Sequence, residues 1–197
     1  MKTDQVKKVN YGYLLAYILM PAALMALGLW IGYTVYEDGE IGAVMFNMCS
    51  FIVAVLLWVF GGRIVYFFAK KRMLKQLDGA GVDRRQIFYS DGCVVSVDAR
   101  QAKVALLFFW NPFALYVIPA GRVTRAWADD GVGGRGVLRG TSRVSFLFEV
   151  DGAKVRVNTF VSNQRWKLND DKVLEGISKA DLWVQVLDQV RQQKAGV

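Results

Sequence analysis

The sequence predicts an α+β protein: a two-helix transmembrane hairpin, then a mainly antiparallel β domain closed by a C-terminal α-helix. Three observations predict it. Tyr11 to Tyr36 and Ile41 to Gly62 carry no charged residue, and about 20 apolar residues suffice to cross the hydrocarbon core. From about Gln86 apolar and polar residues alternate, the period of a half-buried strand. After Ser178 the apolar spacing becomes that of an amphipathic helix. Residues 1–75 are expected to form the hairpin with its basic flanks, and 76–197 the cytoplasmic domain.

The first apolar run follows Lys2, Lys7 and Lys8. It is too long for the apolar region of a signal peptide, so an uncleaved anchor is expected. Pro21 should kink or loosen this helix. Gly28 and Gly32 form a G-x-x-x-G pair that permits close helix–helix packing, against the second span or in a homo-oligomer. Asn47 and Ser50 in the second span are expected to hydrogen-bond across to the first.

Glu37-Asp38-Gly39-Glu40 is the only connection between the runs, so the helices must be antiparallel neighbours. Arg63, Lys70, Lys71, Arg72 and Lys75 follow or close the second span, while the connecting turn has no basic residue. Basic residues mark the cytoplasmic ends of spans. A two-pass protein of the inner (cytoplasmic) membrane is expected, with both termini cytoplasmic. Arg63 interrupts an apolar stretch that resumes as Ile64-Val65-Tyr66-Phe67-Phe68. A snorkelling side chain at the interface is preferred to a charge in a conduction path.

Strands are expected at 86–89, 93–97, 104–110, 114–118 and 123–127, with Asn111-Pro112 breaking two of them. Val104 to Trp110 is apolar on both faces and should be a central, covered strand. The clearest unit is Arg143 to Val161. Val144, Phe146, Phe148 and Val150 share one face, and Asp151-Gly152 suits a two-residue hairpin turn. Val155, Val157, Thr159 and Val161 should continue that face. Ser178 and Asp181 have capping-box spacing. Leu182, Trp183, Val186, Leu187 and Val190 then form the apolar face of the last helix.

Composition narrows the chemistry. Histidine is absent, which removes the commonest general base and a common metal ligand. Cys49 and Cys93 stand in unlike settings and read as small apolar fillers. No catalytic, cofactor or metal site is expected. Up to residue 69 the chain holds four basic and four acidic residues, so the whole net charge of +8 belongs to the part beyond. Such a balance attracts anionic partners. Beside two spans, the lipid bilayer is the favoured one and nucleic acid is disfavoured.

Two further features support one resemblance. Ala114-Leu115-Tyr116-Val117-Ile118-Pro119, then Gly121-Arg122-Val123, joins two middle strands. Trp183 sits in Asp181-Leu182-Trp183 of the last helix. With six or seven antiparallel strands and one closing helix, residues 86–192 resemble bacterial pleckstrin-homology-like (PH-like) domains. Their bacterial members often follow two membrane helices. The resemblance implies a PH-like barrel or sandwich, no catalytic residues, and binding of proteins, peptides or lipids.

Other motifs fall away. Gly131-Val132-Gly133-Gly134-Arg135-Gly136 matches G-x-G-x-x-G but lacks the βαβ setting of a dinucleotide site. Arg135, Arg139 and Arg143, in or beside this loop, make a candidate anion-binding loop, with a solvated basic loop preferred. Asp129-Asp130 and Asp170-Asp171 flank turns and read as turn or cap residues. Lys70, Lys71, Arg72 and Lys75 form a juxtamembrane cluster that signals topology and suits anionic lipid.

The leading expectation is a non-enzymatic, membrane-anchored interaction or scaffold module. It would act with another membrane or cytoplasmic protein, as an accessory subunit of a bacterial envelope assembly for secretion, conjugation or phage defence. The alternative is anionic-lipid or nucleic-acid binding by the basic domain, with Trp127 and Trp166-Lys167 as the only aromatic–basic candidates for the latter. A channel would require oligomerisation.

Overall fold

A computed structural model describes residues 5–35, 41–80, 82–83, 86–132 and 140–193. Two helices lead: α1 (Tyr11–Val35) and α2 (Ile41–Gly79). Both are long and apolar enough to cross a membrane. Their apolar side chains are mostly exposed, among them Leu15, Trp30, Phe51 and Phe60. A helix apolar all round that is not buried in a core fits a lipid environment.

The helices pack side by side. Gly28 and Gly32 are buried at their contact. A Cβ on Gly28 would collide with Cβ of Ser50, and one on Gly32 with the Asn47 amide. The hydrogen bond expected of Asn47 is not made by its Oδ1, which is buried without a partner among the described residues. Here the two polar residues serve as small or short groups that fill the space opposite the glycines. Pro21 lies within a continuous α1.

Seven strands follow among the described residues. They are β1 (Ile87–Tyr89), β2 (Cys93–Asp98), β3 (Lys103–Phe108), β4 (Asn111–Pro119), β5 (Val123–Asp129), β6 (Thr141–Val150) and β7 (Ala153–Trp166). All pairs are antiparallel, in one sheet ordered β1-β2-β3-β4 and a second ordered β5-β6-β7. The two sheets do not join into a closed barrel, which removes that half of the expected barrel or sandwich. The last element is α3 (Asp171–Gln193), packed against β5, β6 and β7.

The hairpin predicted at Asp151-Gly152 forms, with both residues at positive φ (52° and 77°) and Val150 opposite Ala153. Its far end departs from simple alternation. Register shifts at Thr141/Arg143 and Val144/Ser145 place Val144 opposite Phe160. Phe160 therefore packs on the core and Val161 is exposed. A bulge inserts a residue and so exchanges the two faces.

Asn111-Pro112 does not separate strands. Phe109-Trp110 makes the turn, and Pro112 sits at the start of β4. That strand is a sheet edge, where a missing N–H removes no ladder bond. Nor does the last helix start at Ser178. It starts two turns earlier, where the Asp170 carboxylate accepts the Lys172 N–H at 3.1 Å and the Asp170 carbonyl accepts that of Leu174 at 2.9 Å. The buried face is Val173, Ala180, Leu187 and Val190, with Trp183 packed against it, whereas Leu182 is exposed. Trp183 stacks on Phe146 (centroids 5.8 Å apart) and meets Phe88 edge-on at 5.5 Å.

Two cores share the first sheet. One lies between the sheets and α3 and contains Val95, Leu106, Ile118, Phe146 and Phe148. The other lies on the sheet's opposite face, where Tyr66, Ala69, Met73 and Leu77 of α2 cover Val94, Ala105, Leu107, Leu115 and Val117. This explains why β3 is apolar on both faces. Packing onto the sheet begins at Tyr66, well before residue 76, so α2 runs unbroken from its apolar span into the β domain.

Candidate functional site: the junction of the helices and the sheet

The amino-terminal segment also enters the domain. Val6 is buried in the intersheet core. Asn111 Nδ2 donates to the Lys7 carbonyl at 2.8 Å, and the Asn10 N–H donates to the Trp110 carbonyl at 2.8 Å. Lys8 Nζ donates to the Lys154 carbonyl. Thus both ends of the helical hairpin grip the sheet domain.

Aromatic residues from three elements meet at this junction. Residues 112–114 have no partner on β3, because Leu107 pairs with Leu115 and Phe108 with Asn111. The resulting bulge brings Phe113 to Tyr13 of α1, 5.5 Å between ring centroids. Tyr17 meets Trp110 at 5.6 Å and donates to the Trp58 carbonyl. Tyr66 of α2 meets Phe109 at 5.2 Å, and Phe109 meets Trp110 at 4.9 Å. The Tyr and Trp rings among them have one apolar and one polar edge, which suits a membrane–water interface.

Beside these rings lies a cleft of about 750 Å³ between α2 and the first sheet. Arg63, Phe67 and Lys70 line one side, and the turn Ser90-Asp91-Gly92 the other. The turn is fixed by the Ser90 N–H to Cys93 carbonyl bond (3.0 Å) and the Phe109 N–H to Gly92 carbonyl bond (3.0 Å). The Tyr66 hydroxyl points at the Ser90 carbonyl, 3.5 Å away. Lys70 Nζ rests 4.9 Å from the Tyr66 ring centroid, a cation–π distance.

The structure divides the juxtamembrane cluster. Lys70 faces the cleft, while Lys71, Arg72 and Lys75 are exposed. Lys71 lies over Phe67 at 4.5 Å. Arg63, which the sequence presented as an isolated interfacial charge, joins Lys70 in the cleft. Nothing local in the sequence pairs them with residues 90–92, since packing of α2 on the sheet brings them together.

Of the candidate anion-binding loop, Arg135 and Arg139 lie outside the described residues. Arg143 is exposed on β6. Asp129 pairs with Arg156 at 3.0 Å and accepts the Gly131 N–H at 3.1 Å, while Asp170 caps α3. The aromatic–basic candidates have their ring faces engaged by cations of the chain itself. Arg125 and Lys154 lie over Trp127 at 5.0 and 4.8 Å, and Lys172 lies over Trp166 at 5.1 Å. Cys93 is buried, and burial pushes its thiol pKa up, away from the reactive thiolate.

No protein-family description, characterised protein or solved structure matches the chain.

Proposed function

We propose that the protein is a non-enzymatic, membrane-anchored interaction or scaffold module that presents its β domain at a fixed height and orientation on the cytoplasmic face of a bacterial inner membrane. The continuity of α2 carries this reading: one helix is apolar and exposed over its first part and forms the outer cover of the sheet over its second. A flexible tether would only confine the domain, whereas a shared helix also orients it. Val6 and Asn10 add a second attachment. The four-strand sheet, three-strand sheet and closing helix support a PH-like reading of the domain, in the open rather than the closed form. An accessory role in an envelope assembly for secretion, conjugation or phage defence fits a small anchored module that works by contact. Anchoring raises the effective concentration toward membrane-bound partners, and the basic domain speeds encounter with acidic ones.

Two variants at matched expression test it. In one, residues 11–62 are replaced by a soluble linker, keeping 5–10 and 63–197 so that both packed segments stay on the sheet. In the other, Asp129, Asp130, Asp170 and Asp171 become Asn, which still serves as a cap. The released protein should lose cellular function while its domain stays folded, and the neutralised one should keep it. A fully active released protein would sink the anchoring reading. Inactivity confined to a folded neutralised protein would point to catalysis.

A further inference from the structure

We propose that the cleft between α2 and the Ser90–Gly92 turn binds the singly charged phosphodiester head group of a membrane phospholipid. The inference rests on the membrane-anchored reading and names a ligand that reading does not require. Three charged side chains line the cleft: Arg63, Lys70 and Asp91. Among the described residues none of the three makes an ion pair. Their sum of one positive charge complements a single phosphodiester negative charge.

The geometry suits a lipid more than a free anion. Arg63 and Lys70 are seven residues apart, so they lie on one helix face about 10 Å apart along the axis. Their long side chains can converge on one phosphate from either side, Arg offering a planar fork and Lys a point charge. Phe60 and Phe67 occupy the same helix face and are both exposed. Phe67 lies between the two cations and lines the cleft, while Phe60 continues the same face about one turn toward the apolar span, where acyl chains would lie. Arg63 thus stands where the apolar span gives way to the cleft, as the phosphate follows the acyl chains in a phospholipid.

The walls are already built. Tyr66 holds Lys70 by its ring and Phe109 by edge contact, and the Ser90–Cys93 turn is hydrogen-bonded closed. Asp91 sets the selectivity. A head group carrying additional phosphates would meet its carboxylate, whereas one whose only charge is a lone phosphodiester would not, and a cationic amine on the head group would offset the attraction of Arg63 and Lys70.

The test uses the full chain in nanodiscs of phosphatidylcholine doped with phosphatidylglycerol, with phosphatidylethanolamine, or with a polyphosphorylated inositol lipid. Lipid retained after mild extraction is read by native mass spectrometry. Arg63→Gln/Lys70→Gln should cut retained phosphatidylglycerol at least tenfold, while Lys71→Gln/Arg72→Gln, outside the cleft, should change it less than twofold. Asp91→Asn should raise retention of the polyphosphorylated lipid relative to phosphatidylglycerol. Glycerol phosphate at millimolar concentration should not displace the lipid. Equal losses in the two double variants would show a diffuse charge effect and overturn the site. So would unchanged retention in the cleft variant, or displacement by glycerol phosphate. Should Arg63→Gln/Lys70→Gln misfold, the Asp91→Asn selectivity shift decides alone, and its absence overturns the proposal. A chain that enters nanodiscs yet retains no lipid defeats the head-group site only, whereas one that never enters them defeats the anchoring as well.

Discussion

Gly28 and Gly32 meet different kinds of neighbour, and that difference sets what an added methyl would do. Opposite Gly28 stands Cβ of Ser50, an atom fixed to the backbone of α2. Opposite Gly32 stands the amide of Asn47, the movable end of a side chain. Gly28→Ala should therefore force the helices apart and destabilise their packing by about 1–3 kcal/mol, as overpacking does. Gly32→Ala should cost less, because Asn47 can turn away. Thermal unfolding of both variants in one detergent checks the order.

Asp98 makes a second residue-scale case. Its burial would raise the carboxyl pKa, but the backbone N–H groups of Asp83, Gln101 and Arg100, with Lys103 nearby, outweigh that and hold it below the ordinary range. The Asp83 and Arg100 bonds are 2.9 and 2.8 Å long, so one carboxylate ties the segment after α2 to the β2–β3 turn. A folded-state pKa below the unfolded value of about 3.9 adds stability above that value. The contribution is lost as pH falls through the folded-state pKa. The wild type should lose melting temperature on acidification below about pH 4. Asp98→Asn should start less stable by about 1.5–3 kcal/mol, typical of hydrogen bonds to a charged group, and should lose less over the same acid range.

Among the elements, α3 and the second half of α2 are the two covers of the sheets, and each rests on an identifiable side chain. Trp183 bridges Phe88 of the first sheet and Phe146 of the second. Trp183→Ala should cost about 3 kcal/mol, within the range for losing a large packed aromatic. Leu77 is wholly buried against the opposite face of the first sheet. Leu77→Ala should cost about 2–5 kcal/mol. If the sheet domain melts unchanged in the Leu77→Ala protein, α2 does not cover it.

What could be read beforehand follows the range of the interaction. The β6–β7 hairpin was legible because alternation and Asp151-Gly152 act between near neighbours in sequence. Ser178 and Asp181 have the spacing of a cap and so suggest a later start for α3, while Asp170 is the residue in place where β7 releases the chain. Leu182 lies close to Val186 around the helix and so fits the apolar face by spacing, but the buried line runs through Val173, Ala180 and Leu187, which leaves Leu182 exposed. Val104 to Trp110 announced a covered strand, yet nothing in it named α2 as the cover. The cleft is the least legible part: Arg63 and Lys70 are separated from Ser90–Gly92 by the whole connection from α2 to the sheet.

At the scale of the whole molecule, the two attachments of the hairpin to the sheet domain constrain topology. Asn10 bonds to Trp110 just before α1 begins, and Tyr66 packs on Phe109 after the apolar part of α2. The amino terminus and the β domain must then lie on the same side of any bilayer that the helices cross. An antiparallel pair with a five-residue connection requires the same arrangement. Lys7, Lys8, Lys70, Lys71 and Arg72 all lie at that end, whereas residues 36–40 carry three acids and no base. Positive charge near span ends is retained on the cytoplasmic side, so the β domain should be cytoplasmic. The check is single-cysteine labelling in sealed cells, with Cys49 and Cys93 both replaced by Ala. An impermeant maleimide should label Gly39→Cys and should reach Asn163→Cys, which is exposed on β7, only after permeabilisation. Labelling of Asn163→Cys in sealed cells would invert the topology. Labelling of both sites before permeabilisation would mean that the helices do not cross the membrane.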